Sequence, residues 1–525
     1  MGIYLNQNNI EFYNSVNHSE IYVDKTELIK YTNKFLFGEQ KYICISRPRR
    51  FGKSMAANML TAYYSRGCNS KELFTPYKIA RNENFEKHLN KYNVIHLTMT
   101  DFSEYSVADT IKKITKILKK DILRENPDID FTDDEELFLM LQDVFDQTMI
   151  PFVFIIDEWD IIMRKTKQNE QEQEDYLSFL RILLKDKSYV ALAYMTGILP
   201  IKKYGEQSAL NSFHEYSMED AYPFSEFTGF TEEETEMLCN EYNIDINETK
   251  KWYNGYNVDD IAIYNPRSVV EVCRRKRFTN YWSKTETYNA LKMPINLNFD
   301  GLKEKIEKMI AGEQIVLDTG TFQNDMSSFH YADDVLTLLI HLGYLTYDFD
   351  TKSCWIPNME VQQEFVRSIK DGGWERVINA INQSEECLKA ALSGDEKTVA
   401  RIVEQTHQEN TSIIKYNDEN ALACVVTLAF YTARNQYEII RELPTGKGYA
   451  DIAFLPRPNE NVPAIVVELK KEQDASIALE QIRNRQYTEK LSAYSGEIIL
   501  VGINYTTDPN TEYKKHTCRI EKITK

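Results

Sequence analysis

Four short apolar runs punctuate the first two hundred residues: YICI at 42–45, VIHL at 94–97, FVFII at 152–156 and YVALAY at 189–194. Each is continuous rather than alternating, and each ends in polar or charged residues. That pattern suits strands buried on both faces of a parallel sheet. Helical spacing follows in between, with Met55, Met59, Leu60 and Tyr63 after the first run, and residues 176–184 before the fourth. Farther on, 333–342 reads as an apolar helix stopped by Gly343, with strand-like 344–347, a polar turn at 350–352 and a further strand at 354–356. Helix plus hairpin predicts a winged-helix-like module. Residues 360–410 read as charged helices. From residue 411 the pattern changes to an apolar helix (421–431), strands at 437–440, 449–455 and 464–470, and a helix at 476–490.

The expected fold is therefore α/β. A parallel α/β core with an additional strand spans 1–230. A helical and winged-helix-like region spans 231–365, a helical connector 366–410, and a second α/β domain 411–525. Two local signals set helix starts: Asp24 with Glu27 before Leu28, and Thr132 with Glu135 in capping-box spacing.

The P-loop reading rests on RPRRFGKS at 47–54, set between a strand and a helix. Backbone N–H groups of such a loop wrap phosphates at a helix N-terminus. Arg50, Phe51, Gly52, Lys53 and Ser54 then contact the nucleotide, with Lys53 on the terminal phosphates and Ser54 on magnesium. The general pattern wants Gly where this chain has Arg47, so a plain helix cap is the alternative. The third apolar run delivers Asp157-Glu158-Trp159-Asp160 at its carboxyl end, where ligands bind in open α/β sheets. Asp157 would hold magnesium and Glu158 would serve as general base. An acidic turn is the plainer reading. Thr196, after the fourth run, sits where a γ-phosphate sensor belongs, although Thr-Gly is also ordinary turn chemistry. His96 fits a core histidine better than a catalyst. Arg274, Arg275, Lys276 and Arg277 form a basic cluster that suits a solvated helix end, with a nucleic-acid or partner contact as the alternative.

Composition narrows the partners. A net charge of −18 disfavours indiscriminate nucleic-acid binding, though not a local basic channel. Eight scattered cysteines without a C-x-x-C pair argue against zinc and disulfides and fit a reducing cytoplasm. No apolar run approaches membrane-spanning length, and residues 1–14 lack a secretory pattern.

A second site is legible near the C-terminus. The turn PRPNENVP at 456–463 joins two strands. A symmetric hairpin places Asp451 opposite Glu468, and side-chain alternation puts Lys470 on the same face. Opposed buried carboxylates need a cation, and oxygen donors without His or Cys suit magnesium or manganese. Lys470 would then position a water. Glu419 is placed to add a ligand from the preceding helix. Gln481 and Arg485, one helical turn apart, are placed to touch a phosphate backbone. A salt-bridged hairpin is the alternative.

Taken together, YVDKT, RPRRFGKS, IIDEWD, FTGFT, WYNGY, YNP, GYL, IPN, GYADI, VELK and ALEQI resemble the successive motifs of bacterial and archaeal proteins that fuse an AAA-ATPase-like domain to a PD-(D/E)XK nuclease-like domain. The resemblance runs through nearly the whole chain. Within that family Arg47 looks normal. Tyr449 stands where many members have Arg. The resemblance implies an ATPase core related to STAND-like ATPases, and a magnesium-dependent nuclease site at Glu419, Asp451, Glu468, Lys470 and Gln481. The expectation is an ATP-regulated nuclease of DNA or RNA, cytoplasmic, without a membrane, and open to oligomerisation. A nucleotide-dependent interaction switch is the alternative. Arg267 is the candidate arginine finger.

Overall fold

The computed structural model describes residues 4–6, 8–165, 169–201, 203–204, 207–208, 210–282, 301–310, 312–323, 329–371, 375–409, 425–426, 429–430, 432–433, 436–445, 448–456, 462–471, 475, 496–507 and 514–523. The chain divides into two compact units, Met1–Ser368 and Ile369–Lys525.

The first unit is built on a five-stranded sheet. Its strands are β1 (Tyr42–Ser46), β2 (Asn93–Thr98), β3 (Phe152–Asp157), β4 (Val190–Gly197) and β7 (His214–Tyr216), in the order β2-β3-β4-β1-β7. All pairings are parallel. β3 and β4 are buried along their whole length, which is why their sequences read as unbroken apolar runs. One face packs Ile95, Phe154 and Met195 against the helices Val107–Glu125, Leu137–Thr148 and Glu170–Leu184. The other packs Ile43, Val94, Ile155 and Tyr194 against the helix Lys53–Tyr64. β4 lies between the P-loop strand β1 and the acidic strand β3. Register aligns their ends, pairing Thr98 with Asp157 and Ser46 with Gly197.

Two helix starts differ from expectation. Asp24 does not cap the helix Leu28–Phe35 directly; it accepts from the N–H and hydroxyl of Thr26 and, 54 residues on, from the N–H of Lys78. Thr132 and Glu135 form no capping box. Thr132 donates to Asp143, and Asp133 takes the N–H groups of Glu135 and Glu136 before the helix begins at Leu137. In both places a partner distant in the chain won over the local pattern.

The two-stranded pair β5 (Lys203–Tyr204) and β6 (Gln207–Ser208) follows β4. A small sheet then joins β8 (Phe230–Thr231), β9 (Tyr256–Val258) and β10 (Ile261–Tyr264). The YNP motif starts the helix Pro266–Arg275: Asn265 accepts from the N–H groups of Arg267 and Ser268, and Pro266 takes the first helical position, where no N–H is needed. The helix Leu302–Ile310, β11 (Ile315–Val316), the helix Ala332–Leu342 and the hairpin β12 (Thr346–Asp348) and β13 (Ser353–Trp355) complete the middle region. Its sheet order is β11-β13-β12. The helix Met359–Asp371 carries the chain out of the unit.

The second unit holds a mixed five-stranded sheet: β14 (Tyr437–Thr445), β15 (Gly448–Pro456), β16 (Ala464–Lys471), β17 (Ile498–Thr507) and β18 (Lys514–Ile523), in sequence order. Only the β16–β17 pairing is parallel. The helices Glu375–Ser393 and Glu396–Glu409, within the stretch read as a connector, share its core: Cys387, Ala391, Val399 and Ile402 pack with Ile452, Val467 and Val501. Glu419 and residues 476–490, with Gln481 and Arg485, lie outside the described residues.

Candidate functional site

The loop after β1 is shaped for an anion. Gly52, at φ 86°, precedes the helix Lys53–Tyr64 without a side-chain cap, so first-turn N–H groups stay available. Lys53 is buried, and its ammonium donates to the carbonyls of Arg47 (2.9 Å) and Pro48 (2.8 Å). Burial pushes its pKa down to about 8, against the pull of Asp157, Asp160 and Glu158. Arg50 adopts φ 71°. Arg50, Gly52, Lys53 and the exposed Ser54 line one wall of a cavity of about 1490 Å³. Glu158 and Thr100 line it too, with Arg267, Val270 and Arg274 of the Pro266–Arg275 helix.

The acidic residues sort by role. Asp157 is buried and accepts from the Thr196 hydroxyl, whose oxygen in turn lies 3.4 Å from the Glu158 N–H. Glu158 sits at φ 53°, and its carboxylate takes a hydrogen bond from Thr100 at 2.5 Å. Asp160 turns away to accept from the N–H groups of Ile198 and Leu199 and from Arg164. Thr100 was not singled out by the sequence reading; the available signal was a hydroxyl just past the strand that pairs with β3. Arg267 lies in the same cavity and pairs with Glu271 at 2.9 Å. The basic cluster closes that helix: Arg274 pairs with Glu20, Arg275 pairs with Glu271, and Lys276 turns the chain at φ 54°.

Arg47, the departure from the general loop pattern, is a staple. It is 1% exposed, and its guanidinium donates to the carbonyls of Ser46 (2.9 Å), Tyr216 (3.1 Å) and Ser217 (2.6 Å), tying the end of β1 to β7. Burial lowers its pKa to about 10, with Asp259 opposing. The remaining loop residues are enclosed by distant motifs. The Phe51 ring meets Tyr256 edge-on at 5.3 Å, and its carbonyl accepts from Gly229 at 2.8 Å. A Cβ on Gly343 would come within 2.7 Å of Pro48, and one on Gly255 within 2.0 Å of the Pro357 carbonyl. FTGFT, WYNGY, GYL and IPN thus form a shell around RPRRFGKS.

In the second unit, β15 pairs with β16 through Ile452 opposite Val467, so Asp451 falls at the next position, opposite Glu468. Val467 and Leu469 point into the main core, as expected. Glu468 is 1% exposed, with the Lys470 ammonium 3.5 Å away. Asp451 accepts from the N–H of Leu469 at 2.7 Å. The parallel pairing with β17 sets Gly502 beside Glu468 and buried Asn504 beside Lys470. Asn504 extends the polar face and was not read from the sequence, where it sits inside an apolar run. Asp451 and Glu468 offer hard oxygen donors, which suit magnesium or manganese in kind. Among the described residues no group of three or more His, Cys, Asp or Glu is gathered for a metal. Glu419, the further ligand expected, is outside them.

An additional strand between the P-loop strand and the acidic strand, with a phosphate loop at their carboxyl ends, defines a P-loop nucleotide-binding core of the AAA-like class. Comparison with known proteins makes this specific. Residues 10–205 match the family described as predicted AAA-ATPase, and residues 417–515 match the PD-(D/E)XK nuclease superfamily. The chain is a fusion of these two domains. An uncharacterized protein in the vnfD 5' region of Azotobacter chroococcum mcd 1 is 23% identical over 514 residues, covering 93% of each chain. Among solved structures, Cdc6p from Pyrobaculum aerophilum aligns at 11% identity and TM-score 0.24, covering 67% of this chain and 97% of that one. The Aeropyrum pernix ORC2 protein aligns at 10% and 0.30, covering 70% and 98%. Scores this low define no shared fold; the class of the core rests on this chain's own strand order. No helix among the described residues is long and apolar enough to cross a membrane.

Proposed function

We propose that this protein is a nuclease regulated by ATP. The observation that carries the reading is the convergence of Asp451, buried Glu468 and Lys470 on one face of β15–β16, in a chain whose first unit matches a predicted AAA-ATPase. Lys53 and the loop N–H groups would bind the terminal phosphates, Ser54 and Asp157 would hold magnesium, and Thr196 would sense the γ-phosphate through Asp157. Glu158, held by Thr100, would accept a proton from the attacking water. In the second unit Asp451, Glu468 and Glu419 would hold magnesium, and Lys470 would orient water toward a phosphodiester. Gln481 and Arg485 would contact the nucleic-acid backbone. Bound magnesium would supply charge for the phosphate and acidify the water. Arg267 would face the nucleotide as the candidate arginine finger, and the middle region would act as a winged-helix-like element.

The test is incubation with labelled single- and double-stranded DNA and RNA, with and without ATP and magnesium. Cleavage is expected, and Asp451→Ala or Lys470→Ala should abolish it. Wild type and both variants equally inert on every substrate would sink the nuclease reading. A second reading is favoured by the Lys470–Glu468 ion pair and the charge of −18: a nucleotide-dependent switch whose second unit only binds a partner. It predicts nucleotide binding without cleavage.

A further inference from the structure

Arg50 and Ser268 both contribute to, or adjoin, the walls of the nucleotide cavity, and both lead to a single buried carboxylate. Glu360, 2% exposed, stands in the first turn of the helix Met359–Asp371. Its Oε1 accepts from the backbone N–H groups of Tyr281 (2.6 Å) and Trp282 (2.9 Å), and its Oε2 from the Ser268 hydroxyl (2.7 Å). Asn280 reinforces the join, donating to the Glu360 carbonyl (2.9 Å) and to Glu364 (2.8 Å). Ser268 follows Pro266 and Arg267, which line the cavity. On their other side, the carbonyls of Tyr281 and Trp282 receive the Arg50 guanidinium at 3.2 and 3.4 Å. Arg50 is itself a loop residue at φ 71°.

Those two bonds to Arg50 are long. A phosphate oxygen offers a guanidinium a shorter, charge-assisted bond than a peptide carbonyl does. An entering triphosphate therefore competes with residues 281–282 for Arg50. Glu360 holds the same dipeptide from behind, so a loosened grip at the carbonyls is felt at its N–H groups.

We infer that Glu360 is a positioning residue that couples nucleotide occupancy at Arg50, through Tyr281 and Trp282, to the helix that carries the chain into the second unit. The inference rests on the reading that the cavity binds ATP, and it names the route by which that site would report outward. Binding slows exchange in the phosphate loop and quickens it in the first turns of the Met359–Asp371 helix, two changes of opposite sign.

The experiment is hydrogen exchange on the full chain with and without a non-hydrolysable ATP analogue and magnesium. In wild type, amides 49–58 should slow, and amides 361–366 should exchange faster by about threefold or more. Glu360→Gln should keep the loop response and a cooperative melting transition but lose the helix response. A residue that only held the fold together would raise exchange in both states and leave their difference intact. Ser268→Ala, which removes one donor, should shrink the helix response at least by about half even if Glu360→Gln folds poorly. A loop that slows while the helix is unchanged in wild type, or a helix response preserved in both variants, overturns the coupling alone. A loop that does not respond to nucleotide overturns the ATP reading and the coupling with it.

Discussion

The two sites are built in opposite ways. In the first unit the chemistry-bearing loop is eight residues long, yet it is held by groups from positions 197 to 357: Gly197, Tyr216, Gly229, Tyr256 and Gly343 touch or face it, and Pro357 braces Gly255 beside Tyr256. In the second unit, among the described residues, Asp451, Glu468 and Lys470 come from one hairpin, and the adjacent strand β17 sets Gly502 and Asn504 beside them in register. A site assembled from afar can transmit what happens in it. Residues set on one hairpin take their geometry from a single turn and its register. That contrast fits a controlling site and an output site. The aromatic motifs between 227 and 358 supply packing, and much of that packing is the shell of the loop.

The contrast is broken most directly at Arg47. Arg47→Met keeps the length and removes the donors, leaving the carbonyls of Tyr216 and Ser217 without this partner. Breaking a buried charged hydrogen-bond network costs about 3 kcal/mol. The first unit's thermal transition should fall by several degrees and nucleotide affinity should drop with it, while the second unit's transition stays in place. Calorimetry on the full chain reads both. An unchanged first transition would mean that the shell does not depend on this staple.

What the sequence revealed follows the same division. Buried parallel strands announce themselves by composition, so β1 to β4 and their order around the acidic strand were legible. The Asp451–Glu468 pairing was legible because a hairpin turns separation along the chain into register. Arg47 appeared as a flaw because its three acceptors include residues about 170 positions away. Thr100 and Asn504 were hidden for the same reason: each becomes polar chemistry only when another strand is laid beside it. The same holds for Asp24 and Thr132, whose decisive partners, Lys78 and Asp143, no local pattern contains.

Acidity should separate the units further, because each buries a group pushed the opposite way. In the first unit burial raises Glu360 to about 7, against hydrogen bonds from Ser268, Tyr281 and Trp282 that favour its charged form. A carboxyl raised from its ordinary value supports the fold below pH about 4.5, and that support fades as pH climbs through 7. The unfolded state gives up its proton first, so it binds fewer protons across this window. Relative to Glu360→Gln, the wild-type first unit should therefore lose about 2–3 kcal/mol between pH 4.5 and pH 8. Denaturant midpoints of the two proteins across that range measure it. Parallel curves would show that Glu360 is already ionised at low pH.

The smallest effect expected, and the opposite in sign, belongs to the second unit. His407 and His516 are both buried, with His407 Nδ1 2.9 Å from His516 Nε2. The Lys514 ammonium lies 3.0 Å from His407 Nε2, so that nitrogen accepts and Nδ1 carries the proton. His407 Nδ1–H then donates to His516 Nε2, and His516 Nδ1–H donates to the Lys514 carbonyl at 3.1 Å. This chain is satisfied only when both rings are neutral. Burial, with Lys514 and His516 beside it, pushes His407 down to about 4; burial also pushes His516 down to about 4, against the Lys514 carbonyl and Glu404, which favour its charged form, and with the Lys514 ammonium adding to the depression. Unfolded histidines take protons below pH about 6.5, while the folded pair resists until near 4, so the unfolded state binds more protons in between. Stability of the second unit is complete above pH 6.5 and declines as the solution is acidified; with the full linkage of two rings discounted for solvent screening around them, the loss is on the order of 2 kcal/mol at pH 4.5. His516→Gln keeps one acceptor and one donor and removes one of the two titrating rings. Its second unit should lose about half as much over the same interval. If the variant's loss instead equals that of wild type, the histidine pair is not what makes this unit sensitive to acid.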